Sequence, residues 1–190
     1  MIISEKHKSM VRNATRSASR IPCILCVAPI IREASLKDSL KMLNSNLKYE
    51  YCHKTNKLIL DRVLHNTNVF PYNYGFIPNT KLRLDEGGDG DAIDVLVMND
   101  LPIEKGERVK IKVIGMLKLL DKNKIDHKII SVKVGSIFEK INSLRTLENE
   151  HSGILEIFSI WFQNYKGEKI KILGFEEKKK AKKFIEKFVQ

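Results

Sequence analysis

Arg108-Val-Lys-Ile-Lys-Val-Ile-Gly-Met-Leu117 decides the fold class. Val109, Ile111 and Val113 alternate with Lys110 and Lys112, and a period of two places successive side chains on opposite faces of a strand. One face is therefore expected to be dry and the other wet. Working outward, Lys48–Cys52 and Lys57–Val63 flank a polar turn at His53–Asn56 and predict a hairpin. Ala92–Met98 and Lys128–Val134 predict two more strands. Five strands of this length suggest a small closed β-barrel of the OB type.

Two helices follow the strands. Ile154, Ile157, Phe158, Trp161, Phe162 and Tyr165 keep to one helical stripe, and Gly167 stands where such a helix would stop. In Glu176–Val189, Ala181, Phe184, Ile185 and Phe188 share one side, with acids first and lysines later as a helix dipole favours. The expected class is α+β, mainly β, with both helices packed on the barrel. Core packing accounts for the aromatic residues, with Tyr165 set apart.

The chain has 190 residues, 43% hydrophobic and 30% charged, enough for one domain with a true core plus a tail. The most apolar short stretch, Ile21–Ile31, is far shorter than the ~20 residues that cross a bilayer, so no membrane association is expected. From His7 to Arg32 there is no acid, while Lys8, Arg12, Arg16, Arg20 and Arg32 sit among small polar residues. Residues 1–46 are expected to be a basic extension, disordered or processed, with 47–190 the main domain. A cytoplasmic location is expected, with an organelle the alternative if the extension is a transit peptide.

Three cysteines, Cys23, Cys26 and Cys52, cannot build a disulfide framework, and the Cys23/Cys26 pair lacks the second ligand pair of a zinc site. The five histidines show no metal-binding spacing. The formal net charge of +11 makes anionic substrates plausible without specifying any reaction.

Against that positive background, Asp85, Glu86, Asp89, Asp91 and Asp94 crowd one short stretch with no base between them. Such repulsion has a reason if hard divalent cations are gathered there, because magnesium prefers carboxylate and water oxygens. Gly87, Gly88 and Gly90 let the backbone bend. A surface acidic turn explains Asp85 and Glu86, but Asp94 sits between Ile93 and Val95 and is costly to bury without a compensating cation. An EF-hand fits poorly: Ile93 stands at the fifth position and Asp100 at the twelfth, where a bidentate glutamate belongs.

Asp89-Gly-Asp-Ala-Ile-Asp94, preceded by Phe70-Pro-Tyr-Asn-Tyr-Gly-Phe-Ile-Pro-Asn79, Lys48-Tyr-Glu50 and Asp61-Arg62, closely resembles the family I soluble inorganic pyrophosphatases. The resemblance runs from about Leu47 to the C-terminus. It implies magnesium-dependent hydrolysis of pyrophosphate to two phosphates, with several Mg2+ ions per site. Asp89, Asp94 and Asp126 match metal ligands, Asp94 being shared by two ions. Asp121 and Asp126 match ligands of an ion that arrives with substrate, and Glu50 an acid further out. Asp91 matches the residue that helps deprotonate the attacking water. Lys48, Arg62, Tyr74, Lys128, Tyr165 and Lys166 match phosphate-binding positions. A homo-oligomer is implied, hexamer rather than dimer, with no nucleic-acid partner.

Three positions depart from the family pattern. Phe70 replaces a usual tyrosine, Lys122 stands where an acid often follows Asp121, and Ser39 replaces an early glutamate. Two other readings compete: an inactive pyrophosphatase-like binding subunit, and an OB-type nucleic-acid module, which leaves the acidic cluster unexplained.

Overall fold

The stretch Arg108–Asp121 forms one long strand, continuing four residues beyond the predicted end. The computed structural model describes residues 31–35, 46–52, 57–64, 69–104, 106–166 and 170–190, without the side chains of 31–35 and 49–58. In chain order the strands are β1 (Ile31–Ser35), β2 (Leu47–Cys52), β3 (Lys57–Val63), β4 (Asn73–Phe76), β5 (Asp94–Met98), β6 (Arg108–Asp121), β7 (Lys124–Ile125), β8 (Lys128–Lys133) and β9 (Ile170–Glu177). The helices are α1 (Leu144–Glu150), α2 (Ile154–Asn164) and α3 (Lys178–Lys187). This is a mainly-β fold with few helices.

β6 is the spine of a seven-stranded sheet, ordered β1-β4-β5-β8-β6-β7 with β9 also on β6. One edge of β6 pairs with β8; the other is shared by β1, along Arg108–Lys112, and β9, along Gly115–Asp121. β1 also touches β4 through Ser35 and Phe76. The predicted hairpin forms as β2 and β3, but as its own two-stranded sheet. Two of the five strands expected in one barrel thus stand outside the large sheet, and β4 and β9, hidden by Gly75 and Gly174 in their patterns, stand in it.

Both faces of this sheet are covered, which is why β5 reads as a continuous apolar run after Asp94. Leu96, Met98, Ile130 and Val132 pack against Leu144, Phe158 and Phe162 of α1 and α2. Val95, Val97, Ile111 and Val113 pack with Ala181 and Ile185 of α3 and with Phe188. Each such phenyl or branched side chain contributes about 1.5–3 kcal/mol on burial.

α2 forms where the stripe predicts and buries Ile154, Phe158 and Phe162, but Ile157, expected on that stripe, is exposed, as is Ile160. Gly167 lies outside the described residues. α3 starts later than its pattern suggests. Glu176 and Glu177 pair with Met116 and Gly115 in the ladder, so the sheet claims the acids and the helix has none in its first turn.

β1 falls within the segment read from sequence as an extension. Deleting residues 1–40 removes this strand and leaves the Arg108–Lys112 edge unpaired, so the melting temperature is expected to fall by about 5 °C. kcat should change little, because β1 carries none of the expected site residues. Differential scanning calorimetry and a phosphate-release assay on the two chains check both halves of this expectation.

Candidate active site

Parallel pairing of β5 with β8 decides which charged residues meet. Val95 stands opposite Ile129, so Asp94 and Lys128, each one residue earlier, begin adjacent strands on the same face. Lys128 Nζ reaches Asp94 Oδ2 at 2.5 Å and also pairs with Asp126, two residues back on its own chain. Tyr74 in β4, diagonal to Asp94, donates its hydroxyl to the same Oδ2 at 2.5 Å. The whole Lys128 residue is 1% exposed, a buried ammonium between two carboxylates.

Those charges set one another's protonation. Burial pulls Lys128 down, but Asp126 and Asp94 outweigh it and hold the ammonium well above its ordinary range. Burial pushes Asp126 up to about 6; Lys128 opposes that rise, and Asp94 and Asp89 add to it. Burial, then the charge of Asp94, raises Tyr74 well above its usual value, so the phenol stays a donor.

At the C-terminal end of α2, Tyr165 is buried and raised by burial, with Lys128 and Lys166 opposing. Lys166 pairs with Asp121 at the end of β6. Burial lowers Lys166, but Tyr165 and Asp121 raise it more, so it stays charged. The other oxygen, Asp121 Oδ1, is buried with no hydrogen-bond partner among the described residues. Lys122 and Asn123, at φ 49° and 65°, form the two-residue turn that returns the chain to β7. Lys122 is exposed there.

The hairpin holds a further group. Lys48 pairs with Arg62 and Tyr49 with Leu60, so Asp61 is the extra residue of a β-bulge. The bulge lets Asp61 face its neighbour: its Oδ2 accepts from Lys48 Nζ at 2.7 Å and from Arg62 Nε at 2.8 Å. Burial raises Asp61, but the hydrogen bonds and charges of Lys48 and Arg62 together outweigh it, and Asp61 is held below its ordinary value. Sequence periodicity gave Asp61 no role, because a bulge breaks the period on which that reading depends. Glu50 stands in β2 opposite Ile59, its side chain outside the described residues.

Asp89 and Asp91 lie on the loop before β5. Asp89 Oδ1 accepts from Asp91 N at 2.9 Å, and Asp91 is exposed. Among the described residues, no three acidic, histidine or cysteine side chains stand together as a metal-holding group. The donor set nevertheless suits hard divalent ions: all-oxygen carboxylates, one of them held protonatable near neutrality and another with an orphaned oxygen. Phe70, where a tyrosine was expected, is fully buried with its ring 4.3 Å from that of Trp161 and 5.8 Å from that of Tyr74. Ser39 lies outside the described residues.

The family model described as inorganic pyrophosphatase matches residues 41–190. A relative named inorganic pyrophosphatase from Ureaplasma parvum is 37% identical over 147 residues, covering 77% of this chain and 78% of its own. One of that name from Nanoarchaeum equitans is 38% identical over 145 residues, covering 74% and 86%. Among solved structures, an inorganic pyrophosphatase from Coxiella burnetii superposes with a TM-score of 0.72 at 30% identity, covering 83% of this chain and 94% of that one. Every charged residue of the site, from Lys48 to Lys166, falls inside the matched region, and the chain belongs to the inorganic pyrophosphatase family.

Proposed function

We propose that this chain hydrolyses pyrophosphate to two phosphates with magnesium as its divalent ion. The observation that carries the reading is the Asp94–Lys128–Asp126 arrangement, buried beside Tyr74 and Tyr165 in a chain of this family. Asp89, Asp94, Asp121 and Asp126 would hold the ions, with Glu50 further out. Bound divalent ions supply positive charge to phosphoryl oxygens and make water more acidic.

The protein's own groups do the rest. Lys128 and Lys166, both held charged by their carboxylate neighbours, bind phosphate oxygens and spread the charge that develops as the bridging bond breaks. Tyr165 donates a hydrogen bond from its hydroxyl to the same oxygens, and Tyr74 binds them by turning its one O–H away from Asp94. Lys48 and Arg62, presented together by Asp61, bind the other phosphate. Asp91, exposed on its loop, takes the proton of the attacking water. Water is the nucleophile, so the reaction needs no covalent intermediate.

The catalytic unit is read as residues 47–190, with 1–46 an extension that lends β1 to the sheet. A closed barrel of β1, β4, β5, β8 and β6 is supported by β1 having a partner on each side. We read the assembly as a homo-oligomer, a hexamer before a dimer, acting in the cytoplasm. No helix of the described residues is long and apolar enough to cross a membrane. Phosphate release from pyrophosphate, with and without magnesium, tests the reading: ion-dependent turnover supports it, and binding without turnover points to an inactive subunit.

Metal and proton should compete for Asp126. Its folded value of about 6 lies above the 3.8 of a free aspartate, so its ionisation weakens the fold above pH 6 and the effect fades as pH falls toward 4. A divalent ion relieves this only where the carboxyl is ionised. About 5 mM magnesium is therefore expected to raise the melting temperature by ~5 °C at pH 7.5 and by less than half that at pH 5. Equal gains at both pH values would exclude Asp126 as a ligand.

A further inference from the structure

The ladder between β4 and β5 stops one step beyond Asp94. Phe76 pairs with Asp94, and Ile77 N–H donates to Ile93 O at 2.8 Å. Pro78 and Asn79, the latter at φ 57°, then turn the chain away. Ile93 is fully buried, so its N–H needs an acceptor that no strand residue supplies. Thr80, 6% exposed, supplies it: its Oγ1 accepts from Ile93 N at 3.0 Å and donates to Ile77 O at 2.6 Å. One hydroxyl thus continues the ladder at the residue next to Asp94.

Thr80 is itself anchored from behind. It bridges Val189, while Lys81 N donates to Phe188 O and Gln190 N to Asn79 O, both at 2.9 Å. Ahead of it, Leu82 N donates to Asp91 O at 2.7 Å and Gly90 N to Leu82 O at 2.8 Å. The fit is tight: a Cβ on Gly88 would stand 2.6 Å from the Leu82 carbonyl. Residues 79–82 therefore act as a splint between residues 188–190 and the acidic loop.

We propose that Thr80 is a positioning residue for divalent-ion binding, acting through Ile93 on Asp94 and through the splint on Asp89 and Asp91. The inference rests on the reading that Asp94 holds the ion. Without the hydroxyl, Ile93 N–H is buried unpaired and the backbone shifts to find water or another acceptor. Asp94 moves with it, away from where Tyr74 and Lys128 hold its carboxylate. Ion affinity should suffer more than the fold as a whole, because α3 and the core around Val95 do not depend on this bond.

The experiment titrates metal-free full-length protein with Mn2+, followed by electron paramagnetic resonance, in wild type, Thr80→Val, Thr80→Ser and Asp94→Asn, with melting recorded for each. Thr80→Val, equal in shape but without the hydroxyl, is expected to bind about tenfold more weakly, and Thr80→Ser within about twofold of wild type. At saturating magnesium, kcat of Thr80→Val should return to within about threefold of wild type. Affinity of Thr80→Val within about twofold of wild type, whatever its melting point, overturns the proposal. So does its failure to fold, which would give the hydroxyl to the fold itself, or a Thr80→Ser variant as weak as Thr80→Val. If Asp94→Asn binds Mn2+ as tightly as wild type, the ion-site reading falls, and this inference with it.

Discussion

Asp94→Asn is expected to lose at least about a hundredfold in kcat at saturating magnesium, or ~2.7 kcal/mol of barrier, while still folding. The side chain is 24% exposed and accepts two donors through one oxygen, Tyr74 and Lys128. An asparagine oxygen can still accept both, so the fold keeps its contacts. The loss is in charge. Lys128 is left with Asp126 as its one carboxylate partner among these, and the site gains one unit of positive charge where divalent ions must collect. Steady-state kinetics against free magnesium, with circular dichroism to confirm folding, decide it. A variant that keeps more than about a tenth of wild-type kcat would show that this carboxylate is not shared between ions.

The difference between Asp94 and Asp61 shows how much of the site was legible in the sequence. An acid between Ile93 and Val95 is conspicuous, since burying it even in part is costly without a cation, and the structure supplies that cation as Lys128. The pairing itself was not legible. It depends on β5 and β8 being parallel neighbours across more than thirty residues of chain, a fact of topology that no local pattern carries. Asp61 stood in a quoted motif, but its contacts could not be read because a bulge cancels the alternation around it. Thr80 could not be read because a threonine in a turn is ordinary until the ladder beside it ends.

The strands show the same division. β6 announced itself through lysines alternating with branched residues, and α2 through its aromatic stripe. β9, Ile170-Lys-Ile-Leu-Gly-Phe-Glu-Glu177, alternates only up to the extra residue Leu173, where it bulges against β6, and its last acids looked like a helix start. β1 was masked by the basic composition around it. Local chemistry revealed each element that decides its own conformation; pairing partners decided the others.

Lys128→Met tests the centre of the site as a charge arrangement. Methionine matches the length and apolar stem of lysine, so little volume is lost, but Asp94 and Asp126 then face each other with no cation between them. Removing one partner from a buried ion pair costs about 3–5 kcal/mol, so metal-free protein at pH 7.5 is expected to melt roughly 10 °C lower. The pH dependence separates charge from packing. In the wild type, Asp126 sits at about 6, with Lys128 opposing its rise, so losing the ammonium drives the carboxyl higher. A carboxyl raised in the folded state destabilises fully above its folded pKa, and that effect fades as pH falls from the folded value toward the unfolded one. The deficit of Lys128→Met should therefore shrink at pH 5, where Asp126 binds a proton. It should shrink again at pH 7.5 with saturating magnesium, where an ion stands in for the lost ammonium. Calorimetry at the two pH values, with and without magnesium, measures all four cases. A deficit that is the same in all of them would mean that Lys128 supports the fold by packing alone and that Asp94 and Asp126 do not form a cation site.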